Sequence, residues 1–199
     1  MISARRIRRV FVASAVLLAG ALPVHPACAQ AGDAAAPPSL DFAGTRYLHR
    51  WSQAGQNEFT PAPQADLKQW HDMVTINVYD DVRTGEQLAN VANNVLVAYQ
   101  KAGIIVRTSS LPAQPGRPAQ HMVVAVLSAP GVSELVFTRF VLAPEAGEAI
   151  VYSHRVYSMK PDAAASAWFK AHDLETEKAL MMWEGMPSVP ALRALPQTP

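Results

Sequence analysis

Apolar and polar residues alternate with a period of two along several stretches of the chain, and the clearest alternation runs from 70 to 79. There Val74, Ile76 and Val78 share one face, while Thr75 and Asn77 share the other. A two-residue period is typical of a β-strand with one buried face. Apolar stretches at 104–108 and 121–127 predict further strands, and two hairpins are predicted at 47–60 and 134–158.

Two other stretches carry apolar residues at helical spacing. The first helix is predicted to begin after Thr84, which forms a capping-box pattern with Gln87, and to end before Gly103. The apolar stripe of this helix consists of Leu88, Val91, Ala92, Val95, Tyr99 and Ala102. The second helix ends before Gly185, and its stripe consists of Ala165, Trp168, Phe169, His172, Thr176, Ala179, Leu180 and Trp183.

This order of elements predicts an α+β fold. We expect an antiparallel β-sheet of about six strands, built from two hairpins and central strands and flanked by two α-helices. The 121–127 strand is apolar on both faces, so either helices cover both faces of the sheet or one face meets a partner. The sequence predicts one domain at 45–185, between a flexible leader at 30–44 and a Pro-rich disordered tail at 186–199.

The same order of hairpin, strand, helix, sheet and closing helix over about residues 45–185 resembles the Mog1/PsbP-like group, which includes small exported DcrB-like proteins. The elements that carry the resemblance are the hairpin at 47–60, the strand at 74–79, the helix at 84–102, the sheet at 121–158 and the helix around Trp168 and Trp183. The resemblance implies accessory and binding roles, and it implies no catalytic residues.

The amino-terminal segment 1–29 has the pattern of a secretory signal peptide. A basic head precedes an apolar run at 10–22, and Ala27-Cys28-Ala29 forms a small-x-small cleavage site. The apolar run is shorter than the ~20 residues that a membrane-spanning helix needs, so we expect no permanent membrane span. His25 and Pro26 argue against lipidation of Cys28. We therefore expect cleavage after Ala29 and a periplasmic or secreted protein.

Cleavage would change both the charge and the cysteine content of the chain. Loss of the four arginines at 5, 6, 8 and 9 leaves 13 basic against 16 acidic residues, a formal charge of −3. A slightly acidic chain without a basic cluster argues against nucleic-acid binding. The single cysteine, Cys28, would leave with the signal, which excludes disulfides, thiol catalysis and zinc–thiolate sites from the mature chain.

No catalytic motif is recognisable in the sequence, and we predict no catalytic residues, no metal site and no cofactor. Gly131-Val132-Ser133-Glu134 lacks the second glycine and the strand-to-helix context of a nucleophile elbow. His172, Asp173 and Glu177 could hold a cation at helical spacing, but a solvated helix face explains them better.

The candidate ligand-binding residues lie in the two hairpins. A second hairpin that closes over 144–147 would place Arg139 opposite Tyr152 and Phe137 opposite His154, with Arg139 and Arg155 on one side. Two guanidinium groups there could bind a carboxylate or phosphate, or they could point to solvent or pair with acids such as Glu134. The candidate set is Arg139, Tyr152, His154, Arg155, His49 and Trp51.

These features favour an exported, non-catalytic protein that binds a protein partner or a small ligand in the bacterial envelope. One alternative is a hydrolase or other enzyme whose site is assembled from distant histidines and acids, drawn from His49, His71, His121, His154 and His172 with Asp72 or Asp173. Another alternative is a structural accessory subunit of an envelope complex, which an exposed apolar patch at Trp51 or Met182 would favour.

Overall fold

The computed structural model of the protein describes residues 37–158 and 161–198, and within the second range it describes side chains from Ala163 onward. Residues Pro37–Pro199 form one compact unit. The strands are β1 (Ser39–Phe42), β2 (Thr45–Gln53), β3 (Gln56–Pro61), β4 (Asp72–Tyr79), β5 (Gly103–Leu111), β6 (Gln120–Ala129), β7 (Val132–Leu142) and β8 (Gly147–Tyr157). The helices are α1 (Gly85–Ala102), α2 (Pro161–Met181) and α3 (Val189–Arg193).

The strands form one antiparallel sheet in the order β1-β2-β3-β4-β8-β7-β6-β5. The predicted α+β class with an antiparallel sheet is therefore confirmed. The predicted count of about six strands and two helices was too low, because the described ranges contain eight strands and three helices. None of the helices in those ranges is both long enough and apolar enough to cross a membrane.

Helices cover both faces of the sheet, which is the first of the two alternatives that the doubly apolar strand β6 left open. Met122 and Val124 pack on the α2 side with Leu180, while Val123 and Ala125 pack on the opposite side with Leu88 of α1. Neighbouring residues of a strand point to opposite faces, so β6 contributes to two separate cores. This arrangement places α2 over β7 and β8, where four of the six candidate ligand-binding residues lie.

The prediction of a flexible leader over 30–44 was wrong from Ser39 onward. Leu40 and Phe42 alternate along β1 and bury their side chains, with 4% and 2% of each exposed. Ala43 and Gly44 have positive φ angles and form a tight turn into β2. A four-residue strand is too short to show a convincing period in sequence. The predicted signal peptide at 1–29 lies outside the described residues.

The prediction of a disordered tail over 186–199 was also wrong. Ser188 caps α3 by accepting a hydrogen bond from the backbone of Ala191, and Pro190 suits the first helical turn. Val189 and Leu192 are buried, and the backbone N–H of Thr198 donates to the carbonyl of Ser52. Pro187, Pro190 and Pro196, which suggested disorder, therefore lie within and around a docked helical turn.

The first helix follows its predicted bounds. Thr84 and Gln87 form the expected capping box, and Leu88, Ala92 and Tyr99 are buried. Gly103 ends the helix in an extended conformation and starts β5 at once. A Cβ at Gly103 would lie 2.0 Å from the carbonyl oxygen of Val126, so glycine is required there by the close approach of β6.

The register of the second hairpin differs by two residues from the predicted one. The turn closes over 143–146, where the N–H of Ala143 donates to the carbonyl of Ala146. Consequently Leu135 lies opposite His154, Phe137 lies opposite Tyr152, and Arg139 lies opposite Ile150.

Candidate functional site

The start of β4 lies beside the end of β8, and this pairing brings Asp72 directly opposite His154. Asp72 Oδ1 accepts hydrogen bonds from the hydroxyl of Tyr152 and from Nδ1 of His154, each at 2.8 Å. Asp72 Oδ2 accepts a third bond from Nε2 of Gln64 at 3.2 Å. A half-buried carboxylate is therefore fully engaged by three side chains from three segments of the chain.

Gln64 fixes the backbone that carries this carboxylate. Its Oε1 accepts hydrogen bonds from the backbone N–H of His71 at 2.7 Å and of Asp72 at 2.8 Å. Its own backbone carbonyl accepts the hydroxyl of Thr60, which ties the β3–β4 connection to the sheet. The polar contacts of Gln64 thus help to position this loop, together with the buried side chain of Trp70.

The hydrogen bonds also determine the charge state of the carboxyl and the tautomer of the imidazole. Burial raises the pKa of Asp72, but the bonds from His154, Tyr152 and Gln64 outweigh it and lower that pKa overall. Because a carboxylate only accepts, Nδ1 of His154 carries the proton. No described residue bonds Nε2 of His154, and 15% of this side chain is exposed.

Aromatic rings extend this arrangement along the surface. The His154 ring stacks on Trp168 of α2 with 4.2 Å between centroids and 12° between planes. The ring of His172, one helical turn further on, also contacts Trp168, with 4.8 Å between the ring centroids. His71 lies 6.4 Å from His154. We call this group the His154 cluster, and its members are Asp72, Tyr152, His154, His71, Trp168 and His172.

His71 resembles His154 in its hydrogen bonding. Its Nδ1 lies 3.0 Å from the carbonyl oxygen of Arg155, and a carbonyl only accepts, so Nδ1 of His71 carries the proton. The edge of its ring meets Tyr157 at 5.5 Å. Two neighbouring imidazoles therefore each have Nδ1 engaged by an acceptor within the chain.

Asp173 and Glu177, which the sequence offered as possible cation ligands, instead form salt bridges with an arginine. Arg107 of β5 bonds Asp173 at 2.7 Å and also bonds Glu177, which attaches β5 to α2. His172 stands apart from that pair, against Trp168. Within the described ranges, no three histidine, cysteine or acidic side chains are grouped so that they could hold a metal ion.

Arg139 does not join the cluster, and its predicted position opposite Tyr152 was wrong. Its side chain is 8% exposed and lies beneath the end of α2. Nη1 donates to the carbonyls of Leu180 at 3.0 Å and Trp183 at 3.2 Å, and Nε donates to Gln120 at 2.9 Å. A guanidinium that satisfies terminal helix carbonyls acts as a C-terminal cap, so Arg139 has a structural role.

Arg155 lies on the opposite face of the sheet from Arg139, which contradicts the predicted pair of guanidinium groups on one side. The even-numbered residues of β8 face α2, so Arg155 faces away from it. Its guanidinium lies 3.9 Å from the ring of Trp70, and Nε donates to Glu134 at 2.8 Å. Arg155 thus has both a cation–π partner and a carboxylate partner within the chain.

The candidates from the first hairpin are also separated from the cluster. Nε2 of His49 donates to the hydroxyl of Ser52 at 2.7 Å, and that hydroxyl donates to Asn57 at 2.7 Å. Burial lowers the pKa of His49, an effect that a hydrogen bond from its ring to the backbone of Trp51 partly opposes. Trp51 lies opposite Glu58 in the β2–β3 pairing and is half-buried.

Of the six candidate residues, only Tyr152 and His154 come together. The acid that joins them, Asp72, stands 82 residues from His154 and was visible in sequence only as one possible acid of a dispersed site. The sequence signal that could have pointed to Asp72 is its position as the first residue of a strand with alternating apolar and polar residues. Gln64 and the stacking role of Trp168 carried no recognisable signal.

Comparisons with known proteins identify no family. No family model matches the chain, and no curated protein matches it. Among solved structures, similarity is found to PA94 of Pseudomonas aeruginosa, a protein of unknown function, at 11% identity and a TM-score of 0.43. The match covers 77% of this chain and 99% of PA94. A likeness at this level carries no argument about function.

Proposed function

We propose that this chain is an exported, non-catalytic protein that binds a small ligand or a protein partner in the bacterial envelope, and that the His154 cluster is its binding surface. The observation that carries the proposal is the hydrogen bond from His154 to Asp72. It holds the imidazole in one tautomer and leaves Nε2 without a partner among the described residues. An oriented and partly exposed imidazole is suited to recognition.

The geometry favours a ligand that donates hydrogen bonds. In the neutral rings, which carry their proton on Nδ1, the Nε2 atoms of His154 and His71 are acceptors, and Asp72 is already engaged by three donors. A ligand group with N–H or O–H donors would therefore find two acceptor nitrogens beside the indole of Trp168.

Native mass spectrometry of the protein purified from its host's envelope fraction tests this proposal. We expect added mass from a bound molecule on the wild-type chain, and we expect His154→Gln to lose it. His121→Gln is the matched control, because His121 lies on β6 and bonds Ser110 instead of Asp72. Added mass that persists unchanged in His154→Gln, with the fold intact by circular dichroism, would contradict the assignment of the site.

The enzyme alternative has one specific observation in its favour. The cluster gathers three of the five histidines named as candidates, together with Asp72, and an imidazole held by a carboxylate through Nδ1 is the arrangement of a general base. A panel of ester, amide and phosphoester substrates tests it. Turnover by the wild-type chain that His154→Ala abolishes and His121→Ala retains would replace the binding proposal with a hydrolase.

We also propose that the chain belongs to the Mog1/PsbP-like group and has an accessory role of the kind known in that group. The order of hairpin, strand, helix, sheet and closing helix supports it. An accessory subunit would need apolar contact surface, and Met182 and Leu174 of the α2 region are 67% and 75% exposed. Co-purification of a stoichiometric envelope protein, lost on Met182→Lys, is the result expected for that role.

A further inference from the structure

One edge of the sheet is long and has no partner strand among the described residues. β5 comes last in the strand order, and within the described ranges it pairs only with β6, from Gly103 to Leu111 with Val106 bulged out of the pairing. The opposite edge is formed by β1, which has only four residues. Every second residue of an edge strand directs its backbone N–H and C=O outward, so a nine-residue edge is a template for pairing with another strand.

Large apolar side chains are exposed on this same strand. Ile104 is 72% exposed, Val106 is 42% exposed and Leu111 is 53% exposed, and they are three of the seven large exposed hydrophobic residues in the described ranges. β5 contains no lysine, proline or acid, the residues that commonly protect sheet edges. Its one protective feature is the bulge at Val106, where the register with β6 shifts.

The single charge on β5 is neutralised within the chain. Arg107 is drawn towards α2 by Asp173 and Glu177, so it would not repel a second Arg107 across an interface. Two positive charges brought together by pairing would each already be matched by two carboxylates.

The bulge also makes the strand self-complementary. Ile104 lies opposite Val126 and Leu111 lies opposite Gln120, and both of these β6 positions are even-numbered and face α2. Residues seven apart on a regular strand would face opposite sides, but the extra residue at 106 places Ile104 and Leu111 on the same side.

We propose that β5 is a homodimer interface, in which the β5 strands of two copies pair antiparallel about a two-fold axis at Thr108. In this register Thr108 lies opposite its own copy and Arg107 lies opposite Ser109 of the second copy. With the bulged Val106 left out of the pairing, as it is towards β6, Ile104 lies opposite Leu111 of the second copy. The two apolar pairs are equivalent by symmetry, which is the requirement of an isologous interface. The two sheets then continue as one across the dimer.

The size of the contact predicts a reversible dimer. A stable interface buries about 800 Å² per partner, whereas the proposed contact consists of one nine-residue edge strand with three exposed apolar side chains. We therefore expect monomer and dimer to exchange with concentration, in the range of transient rather than obligate complexes.

Cysteine cross-linking tests the register directly, in the full chain carrying Cys28→Ser. Thr108→Cys alone should form a dimer disulfide under mild oxidation, because the two-fold axis places its Cα atoms within disulfide range. Ile104→Cys should not cross-link with itself, but it should cross-link in a mixture with Leu111→Cys. Failure of Thr108→Cys, or self-linking of Ile104→Cys, would overturn the proposed pairing.

Sedimentation velocity over a concentration series tests the dimer without a cross-link. We expect Ile104→Lys to shift the wild-type dimer to monomer at every concentration tested. Leu174→Lys is the matched control, because it removes an equally exposed apolar side chain from α2 and should leave the dimer intact. A wild-type chain that stays monomeric throughout, or a dimer that Ile104→Lys leaves unchanged, would refute the interface. Circular dichroism confirms that each variant is folded.

Discussion

Asp72 and His154 face each other across the β4–β8 pairing, and a single carboxylate oxygen of Asp72 receives both the imidazole of His154 and the hydroxyl of Tyr152. This relationship joins the start of one strand to the end of another. The proposed binding surface therefore depends on the same contact that joins β4 to β8 at this end of the sheet. One substitution can thus test both ligand binding and the stability of the fold.

Asp72→Asn is expected to destabilise the protein by about 1–3 kcal/mol at neutral pH, because an amide cannot accept from three donors as a carboxylate does. The pKa of Asp72 is lowered in the folded state, so its stabilising contribution is present above the unfolded pKa and is lost as pH falls through the folded pKa. Urea denaturation from pH 2 to 7 should therefore show a flatter profile for Asp72→Asn than for wild type.

Asp41→Asn is the control for that experiment, because it makes the same chemical change at a side chain that is exposed on β1. We expect Asp41→Asn to follow the wild-type pH profile. An equal loss of stability in both variants, or an unchanged acid profile in Asp72→Asn, would show that the carboxylate network does not hold the strand pairing.

Glu148→Gln is expected to stabilise the protein in alkaline solution. The side chain is 3% exposed, and burial raises the pKa of Glu148 to about 7 although Arg139 lowers it. The unfolded chain releases this proton near its ordinary pKa of 4.5, so stability is lost as pH rises from there to about 7. Glutamine stays neutral in both states, and we expect a gain of about 1–3 kcal/mol at pH 8 and none at pH 4.

Glu175→Gln is the matched variant, because Glu175 is exposed on α2 and should give no pH-dependent gain. Thermal unfolding at both pH values measures the difference. Destabilisation of Glu148→Gln at pH 8 would mean that the ionised carboxylate is needed as the partner of Arg139.

Arg139→Met is expected to cost about 2–4 kcal/mol, since it leaves the carbonyls of Leu180, at the end of α2, and of Trp183, just after it, without their buried donor. It also removes the cation that lowers the pKa of Glu148. In the double variant Arg139→Met/Glu148→Gln the loss should be smaller than the sum of the two single effects. Urea denaturation of the wild type, the two single variants and the double variant at pH 7.5 gives the coupling free energy between Arg139 and Glu148. Strict additivity would show that the two side chains do not interact.

Gly103→Ala and Gly85→Ala form a matched pair of substitutions at the two ends of α1. A Cβ at Gly103 would meet backbone atoms of Val126 and Leu127 at 2.0–2.9 Å, and backbone cannot move aside cheaply. We expect a loss of about 3 kcal/mol or more, or failure to fold. Gly85 has nothing within 4 Å of the same position, so alanine there should be neutral or stabilise by up to about 1 kcal/mol. Similar thermal midpoints for both variants would contradict the close β5–β6 approach.

The strands that sequence predicted well are those in which burial imposes a pattern. β4 alternates because one face is buried, and β6 is apolar on both sides because α1 and α2 cover it. Thr84 and Gln87 likewise predicted α1 because a capping box is formed by residues close in sequence. In each case the interaction that determines the structure acts on residues close together in the sequence, so it produces a recognisable local pattern.

The contacts that sequence did not predict depend on chain segments far apart. The hairpin register was misplaced because the loop closed over 143–146, and a shift of two residues changed which side chains face His154. The pairing of Asp72 with His154 spans 82 residues and leaves no spacing to recognise. The strand β1 was missed because two apolar residues, Leu40 and Phe42, are too few to establish a period.

The export prediction can be tested independently of the fold. A chain cleaved after Ala29 begins at Gln30, so intact-mass measurement of protein from the envelope fraction should give the mass of residues 30–199. Ala29→Leu places a bulky side chain where the cleavage site needs a small one, and we expect the uncleaved chain to accumulate. Ala35→Leu makes the same substitution beyond the site and should be processed normally. Full-length protein that retains Met1 and fractionates with the cytosol would contradict export, and the envelope ligand proposed for the His154 cluster would then have to be sought inside the cell.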